Sequence, residues 1–315
     1  MENYFNNKSI FQVLGKWKIH LAALVLISMV LSTVFTLPTF IPPKYKSWAI
    51  LYPVNLPTFS EESNTEQMLQ IIESMDVKKK VFEKFNLGLH YKLDTTDKYY
   101  FTNLNKEFDA NVSFSKTEFE AVEIEVFDTD PKIASEMIFS IVDFYNEKVR
   151  RMHRDKHEEV VALKKLLLDK LVKEIDSLES IKRTHQSEFG IFDFGTQSKE
   201  STRRYIKLIS EGKGSSNSAA ELLQIIENLK KKGIENDEVG SLLWSARNVY
   251  NNTKLEYENE IIEVEKVITY AQIVTKPFPA DKKSSPIRWI IVLFSAMGAF
   301  LTGIIAIIVI ESKKR

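Results

Sequence analysis

Apolar residues follow three regimes along this chain: an unbroken block near each end, short alternating runs beside those blocks, and long stretches of helical period between them. The first block, Ile19 to Leu37, carries no charged side chain when His20 is neutral, and as a helix it covers about 28 Å. Phe40 and Ile41 extend it past Pro38, so a transmembrane helix is expected over 19–41. The second block, Trp289 to Ile310, has no ionisable side chain over about 33 Å of helix. It predicts a second span over 287–310. Lys8, Lys16 and Lys18 would also suit a cleavable signal peptide, but the apolar run is longer than an h-region and no A-x-A-like site precedes Pro42-Pro43. Uncharged runs this long argue against two buried core helices.

Between the blocks, Lys46 to Tyr52 is aromatic and β-branched in places and reads as a strand leaving the membrane. Glu61 to Phe85 reads as one or two helices, with Met68, Leu69, Ile71, Ile72, Met75, Val81 and Phe82 at helical spacing. The alternating runs Phe108 to Phe114 and Val122 to Val126 predict an antiparallel hairpin with one buried face, and Glu123 and Glu125 on its outward side. With the strand, these make a membrane-proximal α/β base over 42–130.

Asp128-Thr-Asp130-Pro131 is a helix start, because Asp130 can cap free amides and Pro131 loses no hydrogen bond at the first helical position. No Gly or further Pro occurs before Gly190, so a long outgoing helix is expected over 131–189, about 88 Å if unbroken. Val161, Leu168, Leu171, Ile175 and Leu178 fit a and d positions interrupted by Lys164, while Glu147 to Glu159 is charged almost all round. The glycines and polar residues of 190–217 predict a turn-rich distal region. Ser218-Ala-Ala-Glu221 reads as a capping box, with Gly233 placed to end its short helix. From Asp237 to Tyr270 a returning helix presents Leu243, Tyr250, Tyr257, Ile261, Val264 and Ile268 on one face, giving returning helices over 218–270. Tyr270 to Thr275 reverts to a strand, and 271–286 holds this closing strand and a proline-rich segment. The fold class is thus an α+β membrane protein: two transmembrane helices flanking a membrane-proximal α/β base and a long antiparallel helical stalk. A shape with so little core per residue predicts self-association.

Charge fixes the orientation. Lys8, Lys16 and Lys18 precede the first span and Lys313, Lys314 and Arg315 follow the second, against one acid on each flank, Glu2 and Glu311. By the positive-inside rule 1–18 is a cytoplasmic N-terminus and 311–315 a cytoplasmic tail, with the mildly acidic middle outside. Such short flanks leave no room for a cytosolic catalytic domain. The 43 Lys+Arg balance 43 Asp+Glu, which removes the electrostatic case for nucleic acid. Zero cysteines exclude disulfides, thiolate metal sites and thiol nucleophiles. Gly190-x4-Gly195-Thr196 lacks the lysine of a phosphate loop. His153 and His157 stand four apart on the long helix, but Arg154 replaces a zincin glutamate and Arg150, Arg151 and Lys156 add repulsive charge. They read as a solvated face. No catalytic residue, cofactor or metal is expected.

This layout resembles the Wzz-type chain-length determinants, or polysaccharide co-polymerases, of bacterial inner membranes. The likeness rests on the first span followed by Tyr45-Lys-Ser-Trp48-Ala and on Val122-Glu-Ile-Glu-Val126 running into Asp128-x-Asp130-Pro131-x-x-Ala134. The long helix and Pro277-Phe-Pro279-x6-Pro286 before the second span complete it. The resemblance implies a ring-like periplasmic homo-oligomer that regulates how many repeat units a polymerase adds to O antigen, capsule or exopolysaccharide, without catalytic residues of its own. Its partners would be its own copies, the membrane, the polysaccharide polymerase and the nascent polysaccharide. Some relatives carry a cytoplasmic tyrosine kinase, which this sequence lacks; the alternative is a kinase-less adaptor in a polysaccharide export complex. Candidate functional positions are the prolines Pro277, Pro279 and Pro286, which stiffen the last link to the membrane, and the small-residue ridge Ser295, Ala299 and Gly303, which lets spans approach closely.

Overall fold

The computed structural model describes residues 7–57 and 61–313, with the side chains of 7–14, 312 and 313 left aside. Glu2, Lys314 and Arg315, and the side chains of Lys8 and Lys313, lie outside that description, and with them much of the flanking charge used for orientation. The chain divides into two units, residues 1–149 with 269–315, and residues 150–268.

The first unit is built on a four-stranded antiparallel sheet in the order β2-β3-β1-β4. Its strands are β1 (Tyr45–Pro53), β2 (Val112–Lys116), β3 (Val122–Asp128) and β4 (Ala271–Thr275). β1 runs from Tyr45 opposite Asp128 to Leu51 opposite Val122, and β2 pairs Val112 with Val126. β4 joins the other edge of β1, with Leu51 opposite Ile273 and an irregularity between Ile50 and Leu51. Ala49, Leu51, Val122, Ile124 and Val126 are fully buried on one face, as strict alternation demands.

Helices precede and cover the sheet. α1 (Asn7–Phe35) is the first apolar helix, and α2 (Asn64–Ile72) and α3 (Met75–Lys84) follow β1. Ser63 and Glu66 form a reciprocal capping box at the start of α2, which buries Met68 and Ile72. The short α4 (Leu87–His90) leads to α5 (Tyr100–Asn111). Here the alternation from Phe108 is overturned: the strand begins only at Val112. Leu104, Phe108 and Asn111 are buried at helical spacing, so a few alternating residues were shared by both periods and the helical stripe prevails.

α6 (Pro131–Phe189) is one continuous helix of 59 residues. Asp130 opens it: its carboxylate accepts from the Lys132 amide at 2.8 Å and its carbonyl from Ala134 at 3.0 Å. Within the first unit α6 buries Ala134, Met137, Ile138, Ile141, Tyr145 and Val149, a stripe of i, i+3 and i+4 steps.

The second unit holds the rest of α6, then α7 (Phe194–Ser210) and most of α8 (Asn217–Glu265). The turn-rich distal region is therefore corrected. Gly190, at φ +66°, turns the chain, and Asp193 then caps a 17-residue helix by accepting the Thr196 amide at 2.7 Å. The capping box at Ser218 is also overturned, since Ser216 is the cap and accepts from the Ala219 amide at 3.3 Å. Gly233 does not end a short helix: α8 runs through it for 49 residues. Its missing side chain admits Phe194, whose ring would lie 2.1 Å from an added Cβ. The helix ends at Glu265, short of Tyr270.

α6 and α8 are antiparallel. Side-chain contacts pair His153 with Glu263, His157 with Glu260, Lys164 with Glu256, Glu179 with Arg247 and His185 with Glu235. On α6, Val161, Lys164, Leu168, Leu171, Ile175 and Leu178 are the less exposed positions, which is the seam.

The last helix is α9 (Arg288–Lys313). Two helical stretches are long and apolar enough to cross a membrane, Gly15–Phe35 and Arg288–Glu311. The first is corrected at its end: α1 stops at Phe35, and Phe40 and Ile41 lie in the turn after Pro38. Ile19, Leu26 and Phe294 are 74%, 61% and 68% exposed, so neither helix is a buried core element.

Candidate functional site

The prolines of 277–286 run beside the stretch that leaves α1, and hydrogen bonds tie the two together. The Lys44 amide donates to the Ser285 carbonyl at 2.8 Å, and the Ser284 amide donates to the Lys44 carbonyl at 2.9 Å. Ser47 Oγ donates to the Phe278 carbonyl at 3.0 Å. Pro277 and Pro286 are buried whereas Pro279 is exposed, so the three expected positions are not equivalent. Proline suits this segment because its ring fixes φ and stiffens the link. The Ser285–Pro286 bond is cis. Lys44 also donates through Nζ to Asn111, which couples the strap to the end of α5.

The two apolar helices α1 and α9 meet along the small-residue ridge at two of its three positions. Ser28 Oγ and Ser295 Oγ lie 2.7 Å apart, and Ser28 also reaches the Ser295 carbonyl at 3.1 Å. Gly303 is buried, and a Cβ there would lie 2.6 Å from Leu21 Cδ1 and 2.9 Å from Leu24 Cδ2. Ala299 is half-buried, while Ala296 and Ile307 are buried and continue the contact line. Lys16 pairs with Glu311 at 3.2 Å and Trp17 Nε1 donates to the same carboxylate at 3.4 Å.

Behind the strap, Asn146 of α6 is 9% exposed and accepts the amides of Tyr270 and Ala271 at 2.7 and 3.1 Å. One amide side chain thus fixes the start of β4. Asp128 shares the parity of Val122, Ile124 and Val126, is 2% exposed, bonds His90 Nε2 at 2.8 Å and accepts the Asp130 amide at 2.8 Å. Glu125 stays half-buried and pairs with Lys46. Burial chiefly, then the Asp128 and Glu107 charges, pushes the Tyr91 hydroxyl up. Burial and Tyr270 do the same for Tyr145, and both hydroxyls stay protonated.

None of this assembles a nucleophile with an adjacent base among the described residues. What the arrangement shows is a set of hydrogen bonds that tie the stretch leaving α1 to the segment entering α9, next to the packed pair of apolar helices. Sequence reasoning missed Lys44, Ser28 and Asn146. A serine inside an apolar block was a usable signal for Ser28; the other two depend on tertiary register.

No family model and no curated protein sequence matches the chain. Among solved structures, a full-length bacterial polysaccharide co-polymerase matches over 96% of this chain and 97% of its own, at 11% identity and a TM-score of 0.50. The Shigella flexneri lipopolysaccharide O-antigen chain-length regulator WzzBSF matches over 76% of this chain and 100% of its own, at 12% identity and a TM-score of 0.34. A fragment of WzzB from Salmonella Typhimurium, a polysaccharide co-polymerase, matches over 77% and 100%, at 12% identity and a TM-score of 0.29. At 11% identity the first of these matches concerns fold alone: the chain has the fold of a polysaccharide co-polymerase, as its layout led one to expect.

Proposed function

We propose that this protein regulates the chain length of a bacterial surface polysaccharide, such as O antigen, capsule or exopolysaccharide. It acts as an oligomeric scaffold on the polymerase and has no catalytic step of its own. The carrying observation is the end-to-end fold match to a full-length co-polymerase, which spans both apolar helices as well as the middle. Fold alone does not prescribe function. Three further features support the reading. Two mutually packed apolar helices suit a two-pass inner-membrane protein with both termini cytoplasmic and the middle periplasmic. Apolar side chains on the long helices stay exposed, among them Leu163 at 67%, Leu166 at 63% and Trp244 at 72%, and a second copy would cover them. The proline segment leads directly into α9 and is hydrogen-bonded to the stretch that leaves α1, a place where the two regions can be coupled.

The test is a gel profile of surface polysaccharide from the source bacterium with the gene deleted and then restored. The proposal expects a banded length distribution that collapses to short or random lengths and returns on complementation. Restoration with Pro277→Ala or Pro286→Ala should shift the preferred length. Polymer of unchanged length retained inside the cell would replace this reading with the export adaptor, and unchanged amount and length would end both.

A further inference from the structure

In the second unit, the polar stretch of α6 turns a pair of imidazoles onto its seam with α8. Residues 150, 153, 157, 161 and 164 continue the half-buried line that Leu168 and Leu171 occupy further along. His153 and His157 sit on it at i and i+4, with ring centroids 4.3 Å apart. α8 brings two carboxylates against them: Glu263 lies 3.2 Å from His153 Nε2, and Glu260 lies 2.6 Å from His157 Nδ1. One ligating atom from each of His153, His157 and Glu263 falls within 4.8 Å of the other two.

We propose that His153, His157 and Glu263 form a site for a divalent transition-metal ion, zinc foremost, that clasps α6 to α8. Two imidazole nitrogens and one carboxylate oxygen are the donor set of open tetrahedral zinc sites, and bonds of about 2.0–2.2 Å place neighbouring donors roughly 3.3 Å apart. The His153–Glu263 separation already has that value. Glu260, bonded to His157, supplies the carboxylate that orients a metal-bound imidazole.

The positive charge around these histidines is turned elsewhere. Arg151, Arg154 and Lys156 are exposed, and Arg150 donates to the Ile268 carbonyl at 3.3 Å. Lys164 bonds Glu256 at 2.8 Å and stands 3.7 Å from Glu260. Lys266 lies 3.1 Å from Glu263 and is a cation that a metal would displace. The glutamate of a zincin motif is a general base and not a ligand, so Arg154 in its place leaves the ligand set intact.

The experiment uses the full chain in detergent, stripped with chelator and then equilibrated with Zn²⁺, with bound zinc counted by mass spectrometry and Tm followed in parallel. The site predicts about one zinc per chain and a Tm raised by zinc, since a ligand held only by the folded state stabilises it about a hundredfold at a hundred times its Kd. His153→Gln and Glu263→Gln should lose both effects while keeping the parent Tm in chelator, which shows that they fold. Glu260→Gln should weaken binding roughly 10–100-fold. Co²⁺ in place of Zn²⁺ should give the intense visible bands of tetrahedral coordination. Zinc that fails to bind the parent at micromolar concentration, or that binds His153→Gln and Glu263→Gln equally well, overturns the proposal. Neither result bears on the chain-length reading, which is tested by polysaccharide profile alone.

Discussion

Gly233 offers the sharpest test of how α7 is held in the second unit. In an open helix interior Gly→Ala stabilises by about 1 kcal/mol, because alanine has less backbone freedom to lose. At this position the new Cβ would lie 2.1 and 2.3 Å from Cδ2 and Cε2 of Phe194, well inside van der Waals contact. Those are atoms of a rigid ring on the first residue of α7, so relief requires moving the helix start and disturbing the Asp193 cap beside it. Overpacking of this kind costs about 1–3 kcal/mol, and an overlap above 1 Å belongs at the upper end. Gly233→Ala should therefore destabilise the α7–α8 contact by about 1–2 kcal/mol net, or roughly five- to thirtyfold in its opening equilibrium. Hydrogen exchange of the full-length protein reads this directly, as faster exchange of the amides of residues 197–210. With Phe194→Ala as background the clash is absent, so the same substitution should slow exchange, and the double-mutant cycle should return a coupling of about 2–3 kcal/mol. Unchanged or slower exchange in the single variant, or additivity with Phe194→Ala, would refute close packing as the reason for glycine here.

Asn146→Ala should lower stability by about 2–4 kcal/mol, because two buried amides, those of Tyr270 and Ala271, lose their acceptor; chemical denaturation checks it, and a loss under 1 kcal/mol would count against the assignment. Ser28→Cys with Ser295→Cys should crosslink within one chain on mild oxidation, given hydroxyls 2.7 Å apart, and mass spectrometry of the digested protein reports the linkage. Acid should weaken the second unit. Glu179 beside Arg247, Glu235 beside Lys232, and Asp193 bonded to the Thr196 amide have carboxyl pKa values lowered by folding. Stability from a lowered pKa is fully present above the ordinary carboxylate range of about 4 and is lost as pH falls through the folded values. Tm measured from pH 7 down to 3 should drop chiefly below that range, and the drop should be smaller in high salt because these groups are exposed.

Local chemistry was readable where it was one-dimensional. Pro131 after a capping aspartate, with no helix breaker before Gly190, specifies α6 at both ends because each signal acts within a few residues. The apolar end blocks and the alternation of β3 are of the same kind. Gly233 shows what the sequence conceals: a helix-ending glycine and a glycine that admits a ring look identical until Phe194 is placed against it. Asp128, read from the sequence as part of a helix start, also continues the buried parity of β3, and the His90 contact and the Asp130 amide make its burial tolerable. The histidine pair at 153 and 157 was legible, but the carboxylates facing it come from a helix a hundred residues onward.

The hydrogen bonds of the first unit form a ladder between the two halves of the chain. Ser28 meets Ser295 in the spans, Lys44 bridges Ser284 and Ser285 at the strap, Ser47 holds Phe278, and Asn146 holds Tyr270 and Ala271 at the sheet edge. Each rung joins residues more than a hundred positions apart, so none is stabilised by local helix or turn propensity. Each exists only when α1, β1 or α6 stands beside the segment from Tyr270 to α9, and forming one rung lowers the loop-closure entropy left to the next. A substitution at Pro277 or Pro286 therefore acts at the middle of a cooperative series: it should loosen the span contact at Ser295 and the strand register at Ala271 together. That coupled loosening separates a mechanical strap from a passive linker, which would leave both neighbours unchanged.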